Sequence, residues 1–143
     1  MPEFELELYD AYGGMRLIAP VSLRDSTGSL GFVKALIDTG APSTLIFETV
    51  LKRFRRLKPR GLSPPQYSTI GGISFERQTL GNLFIGLRDK NGNLCQFEQT
   101  ISSGILTSEK GANPLEMIIG LDFLLRHRAT LRLNGPKPVL AID

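Results

Sequence analysis

The sequence has little of the chemistry on which several enzyme classes depend. It contains one cysteine, Cys95, one histidine, His127, and no tryptophan. A single cysteine excludes an internal disulfide framework, and a single histidine gives a histidine-based triad or a histidine-rich metal site only one candidate. A phosphate-binding glycine loop and a Gly-x-Ser-x-Gly motif are also missing from the sequence. We therefore expect the protein to use neither a metal nor a cofactor.

Long apolar runs and a strong charge imbalance are missing as well. No apolar run approaches the roughly 20 residues that cross a bilayer, and the acidic, alternating start of the chain does not resemble a signal peptide. The net charge of +3 is too weak by itself to indicate binding to nucleic acid. These features predict a soluble, cytoplasmic protein without a membrane partner, and they do not favour nucleic acid.

Turn-forming residues are plentiful in this short chain. Its 143 residues fit one domain, residues 1–143, and include 15 glycines and 9 prolines. Short apolar or alternating segments lie between them, which favours an all-β fold, a small closed barrel or sandwich with one or two short helices. Helical spacing of apolar residues predicts one helix over Glu48 to Lys58, and a second is expected after Gly120.

Three hairpins are predicted from the order of strands and turns. The first ends at Asp38, the second has Gly71-Gly72 at its tip, and the third turns at residues 89–93. The predicted strands of these hairpins are Leu17–Arg24 with Gly31–Ile37, Gln66–Ile70 with Ile73–Leu80, and Leu83–Arg88 with Leu94–Ile101. The polar stretch from Ser102 to Asn113 is interpreted as a loop.

One carboxylate stands inside an otherwise apolar stretch that runs from Ala35 to Ile46. A charge in such a setting is costly unless it is paired, hydrogen-bonded or neutralised. Asp38 is therefore either a structural residue of a β-turn, where Asp-x-Gly is common, or a group that is used chemically.

Three motifs in a fixed order give the chain a resemblance to a known family. They are Asp38-Thr39-Gly40-Ala41 with Thr44 following, the hairpin tip Ile70-Gly71-Gly72-Ile73, and Ile118-Ile119-Gly120 with a short helix after it. This pattern resembles the retropepsin-like aspartic peptidases, and the resemblance runs from about Leu17 to Leu133. It leaves residues 1–16 as an N-terminal extension.

The resemblance implies a fold and a set of roles. It implies a small closed barrel of retropepsin type and a cofactor-free endopeptidase that acts on polypeptide. Asp38 would be catalytic, and the residues that would support it are Thr39, Gly40, Ala41 and Gly120. The hairpin tip, Ile70, Gly71, Gly72 and Ile73, would be the flap that covers the substrate. Ile118 and Ile119 would either line side-chain pockets or pack in the core, and the role of Asp122 stays open.

A single Asp-Thr-Gly motif supplies only half of such a site. Two carboxyl groups in contact share one proton, so that one can accept a proton from water while the other donates one to the substrate. The resemblance implies that the second Asp38 comes from another copy of the chain, in a homodimer. Phe4–Leu8, within the extension, and Val139–Ile142 are candidate interface strands. Because Ala41 places no hydroxyl beside the acid, we expect an activity optimum nearer weakly acidic than strongly acidic pH.

Two other functions stay open at this point. A retropepsin-fold module could dimerise or bind a partner without catalysis, since one fold hosts many functions. A nucleic-acid-binding β-barrel could use the basic cluster between Lys52 and Arg60, although few aromatic residues accompany it.

Overall fold

Strands dominate the computed structural model, which describes residues 1–11, 14–58, 66–70, 73–106 and 115–143. In that part of the chain only two short helices occur, α1 (Glu48–Arg53) and α2 (Leu121–Arg126). The predicted all-β class is therefore confirmed. Neither helix is long and apolar enough to cross a membrane, a finding that extends to the described residues only.

Eleven strands are found in the described residues. In chain order they are β1 (Glu3–Glu5), β2 (Glu7–Ala11), β3 (Gly14–Asp25), β4 (Gly28–Ile37), β5 (Leu45–Phe47), β6 (Gln66–Ile70), β7 (Ile73–Arg88), β8 (Leu94–Leu106), β9 (Met117–Ile119), β10 (Ala129–Arg132) and β11 (Val139–Ile142).

Eight of these strands form one sheet in the order β2-β3-β4-β9-β5-β8-β7-β6. A further antiparallel pairing joins β3 to β7, with Leu23 opposite Ile85. This pairing closes six of the eight strands into a ring. Because side chains alternate along each strand, every second residue of β3 and β4 faces the interior, as Val21, Val33 and Ala35 do.

The core has two parts. The larger cluster fills the ring and includes Leu23, Ile85, Ile101 and Phe123, all fully buried. The smaller cluster lies near the loop that carries Asp38. Its members are Ile18, Leu36, Ala41, Leu45, Phe47, Phe75, Leu115 and Ile118.

A second, three-stranded sheet joins the two ends of the chain in the order β1-β11-β10. The predicted strand over Phe4–Leu8 is divided at Leu6, whose N–H donates to the Pro138 carbonyl at 2.9 Å. Both edges of β11 are occupied within the chain, by β1 and by β10. The place of Val139–Ile142 at an interface is not tested by these pairings within one chain and stays a prediction. The place of β1 at an interface stays a prediction.

Some strands and one helix differ in length from the sequence prediction. Strand β7 is continuous over 16 residues and passes through Gly81, which has a φ of 119° at an irregularity in the pairing with β8. Strand β8 continues to Leu106, through residues predicted to be a loop, because residues 102–106 pair with β7 and residues 102–104 also pair with β5. Helix α1 ends at Arg53 rather than Lys58.

Candidate active site

Asp38 is the first residue after β4, at the start of the loop that leads to β5. Its side chain is half-buried. Its N–H donates to the Ile119 carbonyl at 3.0 Å, and its carbonyl accepts from the Ala41 N–H at 3.2 Å. Its Oδ1 accepts the Gly40 N–H at 2.9 Å. The carboxylate is thus fixed in a tight turn and keeps access to solvent.

The three residues that follow Asp38 differ sharply in exposure. Thr39 and Gly40 are exposed at the surface of the turn, whereas Ala41 is buried. A Cβ added to Gly40 would lie 3.2 Å from the Asp38 Oδ1, closer than an ordinary contact. A glycine here therefore lets the backbone N–H approach the carboxylate without displacing it.

Strand β9 lies between the two strands that flank the Asp38 loop. It pairs in parallel with β4, where Ile37 faces Ile119, and antiparallel with β5, where Leu45 faces Ile118. The structure thus brings the Asp38 turn and the Ile118-Ile119-Gly120 motif together. Ile118 and Ile119 are fully buried, so they are core residues rather than lining residues of an open pocket.

Gly120 packs directly against the backbone of the Asp38 loop. A Cβ at this position would lie 2.6 Å from the carbonyl oxygens of both Ala41 and Ser43, a distance that real Cβ atoms do not show. The Leu121 N–H donates to the same Ala41 carbonyl at 2.8 Å. Only a glycine lets the start of α2 approach the loop this closely.

Asp122 fixes the same loop through its side chain, a role that the sequence analysis left open. Its Oδ1 accepts the Thr44 hydroxyl at 2.7 Å and its Oδ2 accepts the Thr44 N–H at 3.0 Å. The Gln99 amide donates to Oδ2 at 3.2 Å. The Thr44 hydroxyl oxygen in turn accepts the Gly120 N–H at 3.2 Å. Hydrogen bonds to a carboxylate are stronger than neutral ones, so this network joins α2, β8 and the Asp38 loop.

The residues next to Asp122 in sequence give no sign that its side chain fixes the Asp38 loop. Asp122 lies in the first turn of α2, where an acid is favourable for the helix dipole alone. The one available signal is Thr44, a buried hydroxyl six residues after Asp38 that requires a hydrogen-bond acceptor.

The predicted flap lies in the hairpin of β6 and β7, called the lid hairpin below. Ile70 and Ile73 are opposite each other at the last described pair of this hairpin. Gly71 and Gly72 lie outside the described residues. Lower in the hairpin, the Arg77 Nη1 donates to the Ser43 hydroxyl at 2.6 Å. This bond ties the base of the lid hairpin to the Asp38 loop.

His127 and Cys95 lie away from this loop. His127 lies between two arginines in sequence and is half-buried against the rings of Phe97 and Phe123. Burial lowers the pKa of His127, a hydrogen bond to the Glu98 carbonyl opposes that shift, and the positive charge of Arg126 adds to it. Within the described ranges, no three His, Cys, Asp or Glu residues are grouped as they would be around a metal ion.

Comparisons with known proteins give similarity at the level of structure only. No family model matches the sequence, and no curated protein matches it. The retroviral protease-like domain of Ddi1 from Leishmania major is 19% identical, with a TM-score of 0.49 over 90% of this chain and 88% of that chain. A retropepsin-like aspartic protease from Rickettsia conorii is 14% identical, with a TM-score of 0.48 over 98% of this chain and 95% of that one. Both neighbours are retropepsin-like domains. At these values the likeness assigns no activity to this chain.

Proposed function

We propose that the protein is an aspartic endopeptidase that acts as a homodimer and hydrolyses peptide bonds of extended polypeptides. One observation carries the proposal. The Asp38 carboxylate is held by the Gly40 N–H on an exposed turn, and a rigid scaffold of Gly120 and Asp122 fixes that turn from behind. This scaffold keeps the carboxylate in one position at the surface, as a catalytic group requires.

The chemistry requires two such carboxylates. When the two Asp38 groups meet across a two-fold axis, like charges in contact cannot both ionise, and the pair holds a single proton, as in the aspartic proteases. The ionised carboxylate takes a proton from a water molecule, which attacks the carbonyl carbon of the substrate. The protonated carboxyl donates its proton to the carbonyl oxygen. The tetrahedral diol then returns one hydroxyl proton to the second carboxylate, the first carboxyl protonates the leaving nitrogen, and the C–N bond breaks. Because the nucleophile is water rather than a side chain, no acyl-enzyme forms.

The neighbours of Asp38 fit this arrangement. Thr39 and Gly40 are exposed on the side of the turn that a second subunit would meet. Thr39 would donate across the two-fold axis, and the Gly40 N–H would orient the carboxylate. The lid hairpin would close over the bound peptide and exclude water.

The test is peptide cleavage by the wild type and by Asp38→Asn. The amide keeps the size of the side chain but cannot accept the proton of the attacking water, so we expect cleavage of an unstructured peptide mixture to fall by at least about a hundredfold. A statine-type inhibitor should block the wild type.

Asp10→Asn is the matched control, because Asp10 is an exposed aspartate on β2, outside the Asp38 loop. This variant should keep full activity. Cleavage that survives Asp38→Asn undiminished would rule out the mechanism.

A further inference from the structure

A half-buried arginine lies between the lid hairpin and the Asp38 loop. Arg77 belongs to β7, and its Nη1 donates to Ser43, five residues beyond Asp38. Its Nη2 donates to the Gln66 side-chain oxygen, on the facing strand β6. The guanidinium therefore sits where the two elements that would enclose a substrate approach each other.

Among the described residues, Arg77 is not neutralised by an acid, as three other arginines of the chain are. Arg53, Arg56 and Arg132 each form an ion pair with a carboxylate. In the part of the chain that the structure describes, both side-chain partners of Arg77 are neutral and it takes part in no ion pair. A guanidinium has five N–H donors, so these two bonds leave donor capacity unused.

The strand itself offers Arg77 no acid. Phe75 lies on the same face of β7 and is buried against Phe47. Glu76, the carboxylate next in sequence, lies on the opposite face because side chains alternate along a strand, and its oxygen accepts from Gln78. A half-buried cation whose two side-chain partners are neutral is a favourable site for an external carboxylate.

We propose that Arg77 binds an acidic side chain of the substrate, so that the enzyme prefers peptides with Glu or Asp close to the scissile bond. This inference rests on the proposed function. Substrate would lie between the Asp38 loop and the lid hairpin. Arg77 connects these two elements, because it belongs to the lid hairpin and donates to Ser43 of the loop. Its planar fork can take a carboxylate through two parallel N–H bonds, which an amide cannot match.

The test uses pairs of peptides that differ only by Glu or Gln at single positions on either side of the cleaved bond. We expect the wild type to cleave the preferred Glu peptide about tenfold better in kcat/KM than its Gln partner, which is within the range of a charge-assisted hydrogen bond. In Arg77→Gln this ratio should fall to about one. Arg88→Gln, at the far end of the same strand, is the matched control and should keep the wild-type ratio.

A second variant distinguishes a purely structural role of Arg77 from the proposed role in binding the substrate. Ser43→Ala removes the same bond between the lid hairpin and the loop, but it leaves the cation in place. We expect Ser43→Ala to keep the preference for Glu, even if its overall rate falls. If both variants lose rate alike on the Glu and the Gln peptides, Arg77 is only a structural tie and the proposal is overturned.

A binding measurement separates this inference from the proposed function. The same Glu and Gln pair is made with a statine unit in place of the scissile bond, and affinities are measured for the wild type and for Arg77→Gln. A Glu preference that depends on Arg77 supports the inference even if no peptide is cleaved. Cleavage that is abolished by Asp38→Asn but shows no Glu preference overturns the inference and leaves the peptidase intact. Absence of both binding and cleavage overturns both.

Discussion

At the scale of single residues, the Asp38 turn is held by groups that lie about 80 positions away in sequence. Gly120 is the most restrictive of them, since a methyl group there would meet two backbone carbonyl oxygens at 2.6 Å. Backbone atoms cannot rotate away as a side chain can. We expect Gly120→Ala to lower the free energy of unfolding by about 3 kcal/mol, at the upper end of the usual cost of overpacking. Urea unfolding followed by circular dichroism measures this loss.

Gly14→Ala is the control for that experiment. A Cβ at Gly14, the first residue of β3, would have no neighbour within 4 Å, so its cost should stay within about 0.5 kcal/mol. Equal stabilities for the two alanine variants would show that the loop and α2 do not pack as closely as the structure has them.

The sequence allowed some of these residues to be recognised but not others. Asp38 and Gly120 belong to short motifs whose residue types are restricted locally, so a resemblance could point to both. Asp122 and Arg77 act through side-chain contacts with Thr44 and Ser43, far away along the chain. No local pattern encodes such pairs, because they depend on which strands become neighbours.

At the scale of elements, α2 is coupled to β8 through an aromatic cluster that includes His127. The centroid of the His127 ring lies 4.5 Å from that of Phe123 and 5.3 Å from that of Phe97, and its Nε2 lies 3.1 Å from the Glu98 carbonyl oxygen. Burial lowers the pKa of His127 below its ordinary 6.5, so the folded chain binds fewer protons than the unfolded chain just below that value. Stability is then fully present above pH 6.5 and decreases as the pH falls from 6.5 towards the lowered pKa.

Because His127 is the only histidine, this dependence can be assigned to one side chain. We expect the midpoint of urea unfolding of the wild type to decrease as the pH is lowered from about 7 to about 5.5. The midpoint of His127→Gln should change little over the same pH range. Glutamine keeps a donor for the Glu98 carbonyl and has no titrating group. The same pH dependence in both proteins would contradict the assignment.

The positions of most elements could be predicted from the sequence, but their lengths could not. The turn at residues 89–93 and the strand before Asp38 have clear local signals. The two strands predicted over Ile73–Leu80 and Leu83–Arg88 join into β7 because β8 pairs with both, and Gly81 absorbs the irregularity between them. Pairing with a distant strand, rather than local propensity, decides where these strands end.

At the scale of the whole molecule, the surface around the Asp38 turn is the place where a second subunit would dock. Helix α2 begins against the Asp38 loop, and its Leu121 and Leu125, one turn apart, are 36% and 74% exposed. Strand β11 offers no free edge, so a dimer cannot form by exchange of that strand without opening the small sheet. The exposed leucines of α2 and the Thr39 turn are therefore the contacts that we expect at the two-fold axis.

A charge on this surface should separate dimerisation from folding. We expect Leu125→Glu to convert the protein from twice the mass of one chain to a monomer in sedimentation, and to abolish peptide cleavage, because a monomer holds only one Asp38. Its free energy of unfolding should change little beyond the loss of the dimer contacts, since the side chain is exposed within the chain.

Phe32→Glu is the matched control. Phe32 is an equally exposed apolar residue on β4, and it lies beside Arg53 rather than α2. It should stay dimeric and active. A Leu125→Glu protein that remains dimeric and cleaves peptides would place the interface elsewhere. A wild-type protein that is monomeric and still cleaves peptides would show that one Asp38 is sufficient, and it would overturn the paired-carboxylate mechanism.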